Sequence, residues 1–90
     1  MAKWKFITNH GATLAFISQR QKVTAREISA SIGITERSVV RILGDLEADG
    51  YVEKSRKGRA NTYTIVRALP LRHEVAENIT IGDFLKLFEA

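Results

Sequence analysis

The sequence predicts a mainly α domain with one small β-hairpin, an α+β fold in which three core helices carry a hairpin and a short C-terminal helix. Three observations predict it. Two threonine-led segments, beginning at Thr24 and Thr35, flank a turn at Gly33. The second of them repeats Val39, Ile42, Leu43 and Leu46 at i, i+3, i+4 and i+7, the spacing of one buried helix face. Two β-rich runs, 51–57 and 61–66, are joined by Gly58-Arg59-Ala60.

Taken in order, residues 8–21 read as a first helix, with Thr8 or Asn9 as its cap and Leu14 and Ile17 on a buried side. Gly11 weakens its start. Thr24 followed by Glu27 is a capping box, and Val23 with Ile28 supplies the hydrophobic staple around it. Ile28 and Ile32 face the core, and Gly33 ends this second helix. Thr35 caps the third, whose apolar stripe runs to Asp49-Gly50. Beyond the hairpin, Pro70 interrupts regular structure. A last helix opens at Thr80 with Asp83 three residues on, and Ile81, Phe84, Leu85 and Phe88 share one side of it, widened by Leu87.

Two short helices about a tight turn, followed by a basic hairpin, make a winged helix-turn-helix. Residues 1–67 form that unit and 68–90 a connection and apolar helix, all within one domain, as ninety residues suggest. With 44% hydrophobic and 27% charged residues the chain can bury a core. Its net charge of +4 is unevenly spread. Residues 1–34 and 50–67 each carry five basic residues against one acidic, whereas 35–49 and 68–90 each carry two against four. Lys54, Arg56, Lys57 and Arg59 surround the hairpin turn, where long cations can reach an extended phosphate backbone.

The outward side of the third helix, at the same 3.6-residue period, holds Glu36, Arg37, Val40, Arg41 and Gly44. Arg37 and Arg41 suit guanine edges, Glu36 can accept from cytosine, and Val40 completes the set expected to touch bases. Thr35, Ser38, Lys54, Arg56, Lys57, Arg59 and Asn61 are the candidates for backbone contact. The expected function is sequence-specific binding of double-stranded DNA by a transcriptional regulator, with repression the favoured direction. The alternative is a winged helix used only for protein contacts. Two readings stand for the apolar tail: it packs on Trp4, Phe6 and Ile7 of its own chain, or it docks on a second subunit. The second is favoured, making Trp4, Phe6, Ile81, Phe84, Leu85 and Phe88 the expected contacts of a homodimer.

Other chemistries find little support. The absence of cysteine removes disulfides, thiolate ligands and a cysteine nucleophile. His10 and His73 lack a surrounding ligand pattern, so neither a metal nor another cofactor is expected. Ser29, Ser31 and Ser38 lack the phosphate loop or nucleophile elbow an enzyme would need. No stretch approaches the roughly 20 apolar residues of a membrane span, and no secretory leader is evident, so a cytoplasmic protein is expected. Whether a small-molecule effector exists is left open.

With these residues in place, the sequence resembles the winged helix-turn-helix regulators of the MarR-like and ArsR-like group of bacteria and archaea. The resemblance covers residues 4–67 and rests on WKFITNHG, IGITERSVVRILGDLEADGYV and RKGRANTY. It is strongest to small regulators with a Trp-x-Phe-x-Thr-Asn-His start and a Leu-Pro-Leu segment, here Trp4 to His10 and Leu69 to Leu71. It implies DNA binding, with Arg59 at the wing tip in the minor groove. The chain departs from ArsR-like sensors in having no cysteine and from MarR-like proteins in having short flanking helices, so neither metal sensing nor their usual ligand pocket is implied.

Overall fold

In the computed structural model, which describes residues 4–20, 22–58 and 60–89 and leaves aside the side chains of Lys57 and Ala60, each of four α-helices opens on a threonine. Thr8 caps α1 (Asn9–Ser18), Thr24 caps α2 (Ala25–Ile32), Thr35 caps α3 (Glu36–Ala48) and Thr80 caps α4 (Ile81–Leu85). Each hydroxyl accepts one of the backbone N–H groups that a helix start leaves without a partner. At Thr24 and Thr80 the bond is reciprocated, because Glu27 and Asp83 accept from the cap N–H. Glycine closes α2: Gly33 takes φ 83°, a left-handed conformation unfavourable for residues with a Cβ. The Ser29 hydroxyl donates to the Ile34 carbonyl at 2.6 Å and holds the turn from its inner side.

The first helix is shorter than the predicted 8–21. After Ser18 the chain leaves the helix so that Val23 can exchange both backbone hydrogen bonds with Asn61, a pairing that local pattern did not show. That pairing sets the α1–α2 segment alongside the hairpin of β1 (Val52–Lys57) and β2 (Ala60–Ile65). The strands are antiparallel, with Val52 opposite Ile65 and Lys54 opposite Tyr63. Alternation puts Val52, Lys54 and Arg56 on one side of the ribbon with Ile65, Tyr63 and Asn61. Val52 is buried and Ile65 and Tyr63 pack on the core, while Lys54 and Arg56, nearer the tip, are exposed.

The core has two adjoining parts. Ile17, Val23, Ile28, Val39 and Leu43 fill one, between α1, α2 and α3. Leu14, Ala15, Ile42, Leu46, Tyr51, Val52, Ile81 and Leu85 fill the other. Because α1 contacts α2, α3, α4 and β2, it buries Thr13, Leu14, Ala15 and Ile17 over a wide arc instead of one narrow stripe. The fully buried Thr13 hydroxyl is satisfied by the Asn9 carbonyl at 2.8 Å.

The tail changes one expectation. Ile81 is 4% exposed and Leu85 0%, both inside the core of their own chain, so neither offers surface to a second subunit. Phe84 and Phe88 pack partly against the same core, ring centroids 5.2 Å apart. The connection turns back on itself to allow this. Ile81 and Gly82 donate to the carbonyls of Leu69 and Arg67, Tyr51 Oη donates to the Pro70 carbonyl at 2.8 Å, and a 3-10 turn at Glu74–Ala76 fills the bend. Arg67 donates through both terminal nitrogens to Glu89. Trp4 and Phe6, 4.9 Å apart and edge to face, remain outside, 67% and 92% exposed.

Leu85→Ala should therefore cost about 2–5 kcal/mol in urea unfolding, the range for a truncated leucine in a packed core. A loss under ~1 kcal/mol would show that the tail is not part of the core. Hydrogen bonds from the Thr80 backbone and hydroxyl hold Asp83 below the usual 3.8, and Arg67 holds Glu89 below the usual 4.5. Lowered folded values mean that this stabilisation is present above the ordinary carboxylate range and lost as the pH falls through the lowered values. Urea unfolding should show stability falling on acidification through that window, and falling less in Glu89→Gln; an equal fall in both would show that the Arg67 pair contributes nothing.

Candidate nucleic-acid interface

The rotation of α3 about its axis is fixed from behind. Val39 is fully buried and Ile42, Leu43 and Leu46 nearly so, and the opposite side is left to solvent. Glu36, Arg37, Val40, Arg41 and Gly44 all lie there and are all exposed. Neither Arg37 nor Arg41 has an ion-pair partner among the described residues, where the salt bridges are His10–Asp45, Arg67–Glu89 and Arg72–Asp49. Two of these three occupy acids of α3 and its cap. His10 Nε2 lies 2.8 Å from Asp45 Oδ2, and Arg72 donates to Asp49 at 2.7 Å while its guanidinium stands over the Tyr51 ring. Asp45 follows Arg41 by one turn and would be its natural partner on an isolated helix. Its Oδ2 instead meets His10, and Arg41 has no ion-pair partner among the described residues.

At the start of α3, Thr35 and Ser38 are committed to one another. The Thr35 hydroxyl accepts from the Ser38 N–H at 3.1 Å and donates to the Ser38 hydroxyl at 2.9 Å. Glu36 stands in the first turn, where a carboxylate is favoured by the helix dipole.

In the hairpin, Lys54 is exposed, whereas Arg56 turns toward the tip and donates through Nε to the Gly58 carbonyl at 3.1 Å. Asn61 spends its backbone on Val23. Arg59, the expected tip residue, lies outside the described residues, as does the Lys57 side chain. Two cations not picked out by pattern adjoin the hairpin: Arg20 and Lys22 line a groove along β2 with Thr62, Thr64 and Arg67. The Val23–Asn61 pairing brings them there. Both lie in the basic first third of the chain, but sequence pattern carried no sign of a strand pairing at Val23.

The two histidines have structural partners. His10 holds Asp45, and His73 caps the 3-10 turn, its Nδ1 accepting from the Val75 N–H at 3.2 Å. No group of three or more potential ligands among the described residues could hold a metal ion. Among them, too, no helix is long and apolar enough to cross a membrane.

Three helices, the second and third set about a left-handed glycine, and a hairpin that follows the third directly define a winged helix-turn-helix protein. The sequence matches that of the MarR family over residues 7–60, from the approach to α1 to the first residue of β2. The match spans more than half of the chain, and the protein belongs to the MarR family. It is thus of a class of DNA-binding transcription regulators, not of enzymes. No curated protein matches the chain at a significant level.

Gly44 is unexplained by the chain's own packing, since a Cβ built there meets nothing within 4 Å. Gly44→Ala should accordingly stabilise the fold by about 1 kcal/mol, the helix-propensity difference between the two residues. Urea unfolding that shows a loss instead would mean that the glycine serves the fold.

Proposed function

We propose that this protein binds a specific double-stranded DNA site as a homodimer and represses transcription from it. In this reading α3 lies in the major groove and the hairpin follows the adjacent backbone and minor groove. The observation that carries it is the outward side of α3, which is exposed and holds two arginines without an ion-pair partner among the described residues. Arg37 and Arg41 donate to guanine edges and Glu36 accepts from cytosine. Ser38, whose hydroxyl hydrogen stays available while Thr35 donates to its oxygen, holds a phosphate at the positive end of the helix with Thr35 beside it, and Lys54 and Arg56 hold phosphates on the hairpin. Lys57, Arg59 and Asn61 complete the backbone set.

The charge balance divides the labour. Residues 35–49 carry two basic and four acidic residues, so α3 adds little attraction for a polyanion. The hairpin and the segments before α2 supply it, with Arg20 and Lys22 beside β2. For the dimer, Trp4, Phe6 and Leu87 offer exposed apolar side chains, with Phe84 and Phe88 partly open; Val40, Val75 and Ile79 are the other large apolar residues exposed among the described ones. Pairing two copies through Trp4, Phe6 and Leu87 would cover those side chains and present two reading helices to a palindromic site.

Arg41→Ala should weaken a selected duplex by about 1–3 kcal/mol and relax its sequence preference, whereas Lys54→Ala should weaken selected and random duplexes alike. Equal losses on both duplexes for both variants would overturn the division. The affinity should fall linearly in log K against log salt, with a slope of about −0.9 per phosphate neutralised. No selection from a random pool and no salt dependence would favour a protein-contact module. Replacing Trp4 and Phe6 together by Asp should give a monomer in sedimentation, and a wild-type monomer would sink the dimer.

A further inference from the structure

One residue on the reading side of α3 does not fit a surface that only attracts phosphate. Val40 is apolar and β-branched, is 60% exposed, and lies among Glu36, Arg37, Arg41 and Gly44 on a side that is otherwise charged or bare. Val39, Ile42, Leu43 and Leu46 complete the buried stripe without it. One turn further on, Gly44 leaves open space beside it. An exposed branched apolar side chain next to a missing one forms a shallow strip that can approach a flat surface closely.

Resting on the reading of α3 as the major-groove helix, we propose that Val40 determines part of the specificity by packing against the C5 methyl group of a pyrimidine. The half-site then holds a thymine, or equally a 5-methylcytosine, beside the base pair met by Arg37. The major groove offers few apolar groups, and the thymine methyl is the one that an aliphatic side chain can select. Val40 stands three residues after Arg37, a rise of ~4.5 Å along the helix, comparable to one base-pair step of ~3.4 Å. Arg37 and Val40 therefore reach neighbouring pairs. Glu36 stands on Val40's other side and cannot replace the contact, because a carboxylate gains nothing from a methyl group.

The test uses the full chain and a duplex selected from a random pool. Each thymine of the half-site is replaced in turn by uracil, which removes only the methyl group. One position should lose roughly fourfold in affinity with the wild-type protein, the worth of one buried methyl-sized group. The same replacement should cost Val40→Ala little or nothing, and 5-methylcytosine at that position should bind the wild type better than cytosine. Val40 is exposed in a helix, so the variant should unfold at or slightly above the wild-type midpoint. A selected site at which every uracil duplex binds like its parent overturns the methyl assignment and leaves specific DNA binding standing. Methyl sensitivity that persists unchanged in Val40→Ala also overturns it. A pool that yields no selected sequence overturns the DNA reading itself, and this inference with it.

Discussion

Burial of Val39, Ile42, Leu43 and Leu46 sets how α3 is rotated, and from that rotation follows what the helix presents on its other side. A helix of 13 residues with one apolar stripe has one stable way to lie on α1 and α2. The stripe contributes burial energy, and it also aims Glu36, Arg37, Val40, Arg41 and Gly44 away from the chain without any of them being held. The rest of the fold serves that arrangement. α1 is a central strut touching both neighbouring helices, the hairpin and α4, and the folded-back tail closes the lower half of the core over Leu14 and Leu46.

Electrostatics follows the same division. α3 carries an acidic C-terminal half, and Asp45 and its C-terminal cap Asp49 are met by His10 from α1 and Arg72 from the connection. Both pairs are about half exposed, so each adds little to stability. Arg72 adopts φ 65°, a conformation sparsely used by residues other than glycine, where its guanidinium meets both Asp49 and the Tyr51 ring.

What could be read from the sequence was whatever is decided within one turn. The caps at Thr24, Thr35 and Thr80, the glycine after α2, the stripe of α3 and the two strands depend on neighbours a few residues away. The features that escaped depend on partners chosen across the chain. α1 stops early because Val23 is needed beside Asn61, 38 positions apart by subtraction of their numbers. Leu85 reads as apolar surface until the bend at Pro70 and Tyr51 shows where it docks. The free side of α3 was legible as a side, since periodicity alone defines it. The pairing of Asp45 with His10 was not, because the two lie 35 residues apart.

The turn between α3 and β1 has a mechanical consequence. Gly50, at φ 81°, is followed at once by Tyr51, whose N–H donates to Leu46 and whose carbonyl accepts from Val66. α3 and the hairpin are thus joined by three residues, Asp49, Gly50 and Tyr51, each of which donates a backbone hydrogen bond into α3, and Tyr51 is held again through its hydroxyl. Swinging the hairpin away from α3 would break these bonds, so the orientation of one element is tied to that of the other.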